Sequence, residues 1–510
     1  MTVSASSSQP NVVVIMSDEQ SWNTLRFHGN PAAISPNLDA LAAGGISMDR
    51  CYTPYPLCCP ARASLWSGRM PHDHHVMGNW RHVRADIADD GLVNRFRAAG
   101  YHTIYTGKWH VPGTTPDRYG FTDLSAIPAS PGGIDRGRYI LPYREYAEAN
   151  GYTLLPNNIE NLTAADAELL KQPGKAPCGR AEVALEHYLE VWQTQQFLAA
   201  LDRSPEDQPF FAVCSFNAPH FPMVVPAPYD TLIAPEDVAL PPNFLAGLEG
   251  KPEEVLESRY FKHLAHCDEG EWRRFIAHYL GFCALIDNQV GDIVNALKAK
   301  GLSDNTIIVF VSDHGDMMGA HGLVEKGFYL HYEEALRVPL IIAGAGCAVA
   351  DSRSDALVQL HDLVPTLAEL AGIPFEADVD GCSFAGVVAG RTNQHRDSVL
   401  AETFKWDGEE SGKGVYTPLS GFNPLTDSVN LSLRTDDWKY IFRYRDVEEL
   451  YALTEDPYEN VNTAGNPAYA APLQRMRSLL HQKLSAESPF LADLLQDRLM
   501  PPANQQSYHS

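Results

Sequence analysis

Four short apolar runs, each with an ionisable group close behind it, restrict this chain more than any other feature. They are Asn11 to Met16 (NVVVIM), His102 to Thr106 (HTIYT), Phe210 to Phe216 (FFAVCSF) and Thr306 to Val311 (TIIVFV). Apolar runs of this length without alternation fit strands buried on both faces, as in a parallel sheet. Helical patterns lie between them. Ser35-Pro36 opens a segment with Leu38, Leu41 and Ala42 in helical register, Ser35 being the expected cap and Gly44-Gly45 the end. Glu182 to Leu201 reads as helix, and so does Trp272 to Lys300, whose Phe282, Ile286, Val290, Ile293 and Leu297 share one stripe. The alternation predicts an α/β fold with a large mixed, mostly parallel sheet flanked by helices.

The pattern changes after about Arg396. Asn430 to Arg434, Trp438 to Tyr444 and Glu448 to Leu453 read as short antiparallel strands, with a helix over Pro472 to Leu484. The chain is therefore expected to divide into a large α/β domain, 1–395, and a smaller C-terminal α+β domain on an antiparallel sheet, 396–510. Leu491, Leu494, Leu495 and Leu499 recur at near-helical spacing, so the tail is expected to dock on this chain or on a second copy in a homo-oligomer. The stretch 111–179 is rich in Pro, Gly, Asn and Asp and reads as surface excursions.

At 510 residues and 45% hydrophobic content, the chain can bury a large core. Its formal net charge is -25 and it has no basic run, which argues against a nucleic-acid partner and weighs against large polyanionic substrates. The nine cysteines are an odd set without repeated spacing, so they read as thiols of a reducing compartment rather than a disulfide framework or zinc module. The first ten residues lack the basic and apolar regions of a signal peptide. No stretch approaches the ~20 apolar residues of a membrane span. The sequence reading is a cytoplasmic protein without a membrane partner.

Behind the four runs stand Asp18-Glu19, then Lys108-Trp109-His110, then Asn217-Ala218-Pro219-His220, then Asp313-His314-Gly315-Asp316. In an open α/β sheet, ligands bind beyond the carboxyl ends of the strands. Singly, each group has a plain reading: an Asp there caps a helix, and a His is a satisfied structural group. Together they predict a site. The carboxylates of Asp18, Glu19 and Asp313 would repel one another without a cation between them. An oxygen-rich set suits Ca²⁺ first, then Mg²⁺ or Mn²⁺, with His314 tilting toward a transition metal. Lys108, His110, His220 and Lys326 add cationic or proton-transferring groups, which suits a tetrahedral oxyanion. Cys58-Cys59-Pro60-Ala61-Arg62 places a cysteine where a helix is expected to start, since Pro60 fits a first helical turn. The positive end of that helix would favour a negative charge at residue 58. His72, His74 and His75 resemble a metal tract but read as a helix end and turn.

The stretch Pro56-Leu57-Cys58-Cys59-Pro60-Ala61-Arg62-Ala63-Ser64-Leu65-Trp66-Ser67-Gly68 resembles the first signature of the type I, formylglycine-dependent sulfatases of the alkaline phosphatase superfamily. Gly100 to His110 resembles the second signature, and the likeness extends from Asn11 to Leu433–Tyr440. The resemblance implies that Cys58 is oxidised to formylglycine by a formylglycine-generating enzyme, and that its hydrated aldehyde is the nucleophile. It implies a metal held by Asp18, Glu19, Asp313, His314 and the gem-diol at residue 58. Glu19 stands where the family more often has Asp, and His314 where it often has Asn. The implied roles are Arg62 on the diol, Lys108 and Lys326 on the sulfuryl oxygens, His220 or Lys326 as acid to the leaving group, and His110 in ejecting sulfate. Asn79 is an implied substrate contact. The expected activity is hydrolysis of a small-molecule sulfate monoester to an alcohol or phenol and inorganic sulfate. The alternative is a phosphonate monoester or phosphodiester hydrolase of the same superfamily, or an enzyme with both activities; Lys108 with His110 favours the sulfatase, because the rival group tends to carry uncharged hydroxyl residues there. A non-catalytic relative is disfavoured because Cys58, Arg62 and the ligands are all kept. The organic half of the substrate is expected to meet 111–179 and 404–425, with Trp80, Trp109, Tyr139 and Trp406 as a candidate aromatic wall or plain packing.

Overall fold

The apolar runs become adjacent strands of one eight-stranded sheet. A computed structural model describes residues 9–500 except 80–81, 85, 88–90, 126–140, 156–160, 246–247, 249, 263, 348–349, 377 and 406–427. In chain order the strands of the large sheet are β1 (Asn11–Ser17), β2 (Gly45–Met48), β3 (His102–Gly107), β4 (Asp123–Ser125), β5 (Phe210–Ser215), β6 (Thr306–Ser312), β7 (Leu340–Gly344) and β8 (Ser352–Ser354). Their order across the sheet is β8-β2-β7-β6-β1-β5-β3-β4. Strands β6, β1, β5, β3 and β4 run parallel, and β7 runs antiparallel to both its neighbours. Every residue of β1, β5 and β6 is buried, the physical reason their sequences do not alternate.

Both faces of β1 are covered. Val13 and Ile15 join the cluster that contains Phe282, Ile286 and Val290, while Val12, Val14 and Met16 join the one that contains Leu65 and Trp66. The first cluster belongs to helices α1 (Pro36–Ala43), α3 (Leu189–Asp202) and α4 (Glu269–Ala299), the second to α2 (Cys58–Ser67) among others. At 31 residues, α4 is about 46 Å long. Its predicted stripe, Phe282, Ile286, Val290, Ile293 and Leu297, is at most 2% exposed, each side chain contributing roughly 1.5–3 kcal/mol of burial. Asp268 caps α4 by accepting from Glu271 N, so the helix begins three residues before the predicted start at Trp272. The predicted Ser35 cap is not made. Asp287, on α4, accepts instead from Asn37 N at 3.1 Å and Leu38 N at 2.7 Å, a cap supplied by a helix 250 residues away. The helix expected from Glu182 begins only at Leu189, behind a separate turn at Leu185–His187.

The C-terminal part is built on an antiparallel sheet of β9 (Val399–Lys405), β10 (Ser428–Arg434), β11 (Trp438–Arg443) and β12 (Glu449–Ala452), in that order. Strand β9 had no counterpart in the sequence reading. Helices α6 (Ala470–Glu487) and α7 (Pro489–Leu499) pack together, burying Leu491, Leu495 and Leu499, so the tail docks on its own chain. The short α5 (Glu333–Leu336) touches both parts: Ala335 O accepts from Gly315 N, behind β6, at 2.9 Å, and Glu333 Oε1 accepts from Lys439 Nζ, on β11, at 3.2 Å. None of the nine cysteines is in a disulfide. Among the described residues no helix is long and apolar enough to cross a membrane.

Candidate active site

The ends of four neighbouring strands lie level. Ser17 faces Ser312, Met16 faces Ser215, and Gly107 faces Ser215 across the sheet. The loops behind β6, β1, β5 and β3 therefore share one edge, and with them Asp313-His314, Asp18-Glu19, His220 and Lys108-His110. Gly107 is required at its position: a Cβ there would lie 2.0 Å from Ser215 O, and its φ is +93°.

The fifth contributor is α2. Cys58 is its first residue, Leu57 stays extended, and Gly68 ends it in the left-handed region. All ten residues of α2 are buried. Cys58 Sγ lies 3.1 Å from His314 Nε2 and 3.6 Å from Asp18 Oδ1. Asp18, Cys58, Asp313 and His314 each present a ligand atom within 4.8 Å of the others, and all four are buried. The donors suit a divalent cation: two carboxylates, one sulfur position and one imidazole. His314 Nδ1–H donates to Gly315 O at 2.9 Å, which leaves the Nε2 lone pair facing the group. Asp313 Oδ1 accepts from His314 N at 2.9 Å and Glu19 N at 3.1 Å.

Cations surround this quartet. Arg62, one turn after Cys58, donates from Nε to Asp313 Oδ2 at 2.7 Å, and from Nη1 to Ser215 Oγ and Lys108 O, both at 2.8 Å. Its Nη2 is buried with no partner among the described residues. Lys108 Nζ binds Asp18 Oδ2. Burial would raise the Asp18 pKa, but Lys108, followed by His220 and Arg62, drives it well below the usual carboxylate range. Burial and then Asp18 push the Cys58 thiol up to about 12. Burial, with Lys108 and Arg62, holds His110 well below the ordinary imidazole value, so the ring is neutral; its Nδ1 is buried without a partner among the described residues.

Glu19 takes a different place from the one expected. It lies outside the quartet, with Oε2 bound to Lys326 Nζ and 3.4 Å from Phe221 N and from His220 Nδ1. Burial works to lower the Lys326 pKa, but Glu19 overrides it and holds the group as ammonium. Lys326 Nζ is also 3.0 Å from His220 Nε2, and His220 Nδ1 is 2.6 Å from Phe221 O. The Phe221 carbonyl accepts from Nδ1–H, so Nε2 accepts from the lysine. Asn79 meets the helix start: its Oδ1 accepts from Cys59 N at 3.1 Å.

Ser215, Ser21, Tyr105 and Tyr279, whose hydroxyls hold the loops of this site, went unread in the sequence because uncharged hydroxyl residues carry no distinguishing pattern. His72 and His74 lie on the short helix Pro71–His74, with His75 just beyond it. Trp109 is 6% exposed and packs against Trp66, Tyr105 and Tyr119, the packing alternative rather than a substrate wall; Trp80, Tyr139 and Trp406 lie outside the described residues. A second acidic group, His321, Glu334 and Glu459, is buried near α5. Asn243 Nδ2 lies 3.1 Å from Glu334 Oε1 and 3.2 Å from His321 Nε2, and Lys439 Nζ lies 2.8 Å from Glu459 Oε1. Protein donors already join this group, so it reads as a joint between the two parts of the chain.

Comparison with known proteins identifies the family. A family model described as Sulfatase matches residues 10–373, and one described as N-sulphoglucosamine sulphohydrolase, C-terminal, matches residues 319–486. The chain is similar to the choline-sulfatase of Rhizobium meliloti (strain 1021), 30% identical over 476 residues that cover 90% of this chain and 83% of the relative. It is similar to the arylsulfatase of Clostridium perfringens (strain 13 / Type A), 28% identical, covering 95% of this chain and 96% of that protein. The crystal structure of the phosphonate monoester hydrolase of Agrobacterium radiobacter shares the fold, with a TM-score of 0.77 at 24% identity, covering 93% of this chain and 96% of that one. The chain belongs to the sulfatase family of sulfuric ester hydrolases.

Proposed function

We propose that the protein hydrolyses sulfate monoesters of small molecules, releasing an alcohol or phenol and inorganic sulfate, with residue 58 as nucleophile after oxidation of Cys58 to formylglycine. The observation that carries this reading is the convergence of Cys58 Sγ with Asp18, Asp313 and His314, with Arg62 bound to Asp313, Lys108 to Asp18, and Lys326 to the neighbouring Glu19. Asp18, Asp313, His314 and the modified residue 58 would hold one divalent ion, Ca²⁺ first on its oxygen donors and Mg²⁺ or Mn²⁺ next. Glu19, expected as a further ligand, fits better as the counter-charge of Lys326. The bound ion supplies positive charge against substrate oxygens and an ionising hydroxyl. Formylglycine, as its hydrate, would supply two hydroxyls on one carbon, one for attack on sulfur and one for the release of sulfate.

The chain's own residues do the rest. Arg62 is fixed by three hydrogen bonds, and its remaining buried N–H group can meet the charge at residue 58. Lys108 and Lys326 bind the sulfuryl oxygens, which carry negative charge in both substrate and product. The Lys326 ammonium, hydrogen-bonded to His220 Nε2, is the proton source of the pair, and a proton passed from it through Nε2 reaches the leaving oxygen. Neutral His110 can take the proton from the second hydroxyl as sulfate departs. The carboxamide nitrogen of Asn79 remains as a donor to a substrate oxygen. Residues 1–395 would carry the chemistry, with 396–510 as the smaller domain against it. A formylglycine-generating enzyme is a transient partner, and nine cysteines outside any disulfide support a reducing, cytoplasmic setting.

The similarity to a choline-sulfatase and an arylsulfatase supports a sulfate ester as substrate, with choline, aryl and sugar sulfates as the panel to compare. The second reading is a phosphonate monoester or phosphodiester hydrolase, favoured by the shared fold of the Agrobacterium enzyme. Lys108 and His110 weigh against it. Hydrolysis of an aryl sulfate and of a phosphonate monoester by one preparation separates the two: the proposal expects the larger kcat/KM on the sulfate, and the reverse order would replace it.

A further inference from the structure

We propose that the hydroxyls of Tyr279 and Ser21 form a positioning pin that holds the two carboxylate-bearing loops of the cation quartet in register; this rests on the divalent-cation reading above. Strand β1 ends at Ser17, and two residues later Glu19 turns through the left-handed region at φ 70°, unusual for a residue with a Cβ. That turn aims Glu19 N at Asp313 Oδ1, 3.1 Å away, so its shape sets the orientation of one quartet carboxylate while its first residue, Asp18, supplies another. Tyr279 reaches the turn from the middle of α4. Its hydroxyl donates to Glu19 O at 2.7 Å and accepts from Ser21 N at 2.9 Å, so one oxygen brackets the turn from both sides.

Ser21 carries the tie onward to the β6 loop. Its Oγ accepts from Asp316 N at 2.8 Å and donates to Asp316 O at 2.6 Å. Asp316 lies two residues past His314, whose ring completes the quartet. The β6 loop is also confined from its other side, because a Cβ on Gly315 would lie 1.9 Å from Glu334 O. A phenylalanine at 279 would keep the ring in the α4 packing but leave Glu19 O and Ser21 N buried without this partner. Tyr279 touches neither substrate nor cation; it acts through the backbone that carries the ligands. Loss of such an outer partner typically weakens metal binding by about 10–100-fold.

The test is calorimetric titration of metal-free protein with CaCl₂ and with MnCl₂, together with thermal melting and the metal dependence of kcat. Wild type should bind one ion. Tyr279→Phe should bind it about 10–100-fold more weakly, with kcat close to wild type once the ion is saturating. Tyr440→Phe, which removes a hydroxyl bound to Glu448 at 2.7 Å in the C-terminal sheet, is the structural control and should lose stability without losing affinity. Ser21→Ala is read in the same way if Tyr279→Phe does not fold. A folded Tyr279→Phe or Ser21→Ala protein with wild-type affinity overturns the pin. Wild type that binds neither ion overturns the cation reading, and the pin with it.

Discussion

Arg62 Nε donates to Asp313 Oδ2 at 2.7 Å, joining α2 to the end of β6 across 251 residues of sequence with both side chains fully buried. One guanidinium thus orients a quartet carboxylate while its Nη2 stays buried with no partner among the described residues; in the proposed function that group meets the charge at residue 58. Arg62→Lys keeps the charge but loses the planar fork. The expected result is a kcat lower by about 10²–10³, and a Tm lowered because a buried pair has been disturbed. Breaking such a pair outright, as in Arg62→Ala, costs about 3–5 kcal/mol. Steady-state kinetics and denaturant unfolding check both, and near-wild-type kcat in Arg62→Lys would contradict the role.

The His220–Lys326 contact at 3.0 Å makes a prediction about leaving groups. An acid matters most when the departing alkoxide is basic. His220→Ala should therefore lose little rate on nitrophenyl sulfate and far more on an alkyl sulfate. A rate loss of equal size on both substrates would remove His220 from proton transfer.

Removal of the cation should be felt in stability as well as rate. Anything bound to the folded state alone stabilises it by mass action. Treatment with a chelator is expected to lower Tm and abolish turnover, and Ca²⁺ or Mn²⁺ should restore both. The same treatment of Asp18→Asn should shift Tm much less, since one quartet carboxylate is already gone.

A pH effect far from the chemistry follows from His72. Its Nδ1 is 2.7 Å from Glu402 Oε1, where the cysteine-bearing region meets β9. Burial would lower the imidazole pKa, but Glu402 overrides it and pushes it up to about 9. A folded value above the unfolded one of about 6.5 means that this stabilisation is complete below about pH 6.5. It is lost as pH rises through about 9. Urea unfolding between these limits should show stability falling with pH in wild type and a shallower fall in His72→Gln.

What the sequence made legible divides along physical lines. β1, β5 and β6 could be read because strands buried on both faces must be apolar throughout, and the charged groups behind them stood out by contrast. β9 could not, because Glu402 and Thr403 lie buried inside it, matched by His72 and His331 from elsewhere in the chain. The cap of α1 looked local at Ser35, yet Asp287 provides it from another helix. Glu19 shows the same limit within the site: its position beside Asp18 was visible, but its pairing with Lys326 depends on 307 residues of intervening chain folding back.

The central claim is that residue 58 works as an aldehyde hydrate within the Asp18, Asp313 and His314 group. Peptide mass spectrometry of protein made alongside a formylglycine-generating enzyme tests it most directly. The fragment holding residue 58 should be about 18 Da lighter than its thiol form, the mass change for cysteine converted to formylglycine. A fully active preparation in which that fragment carries only unmodified cysteine would contradict it.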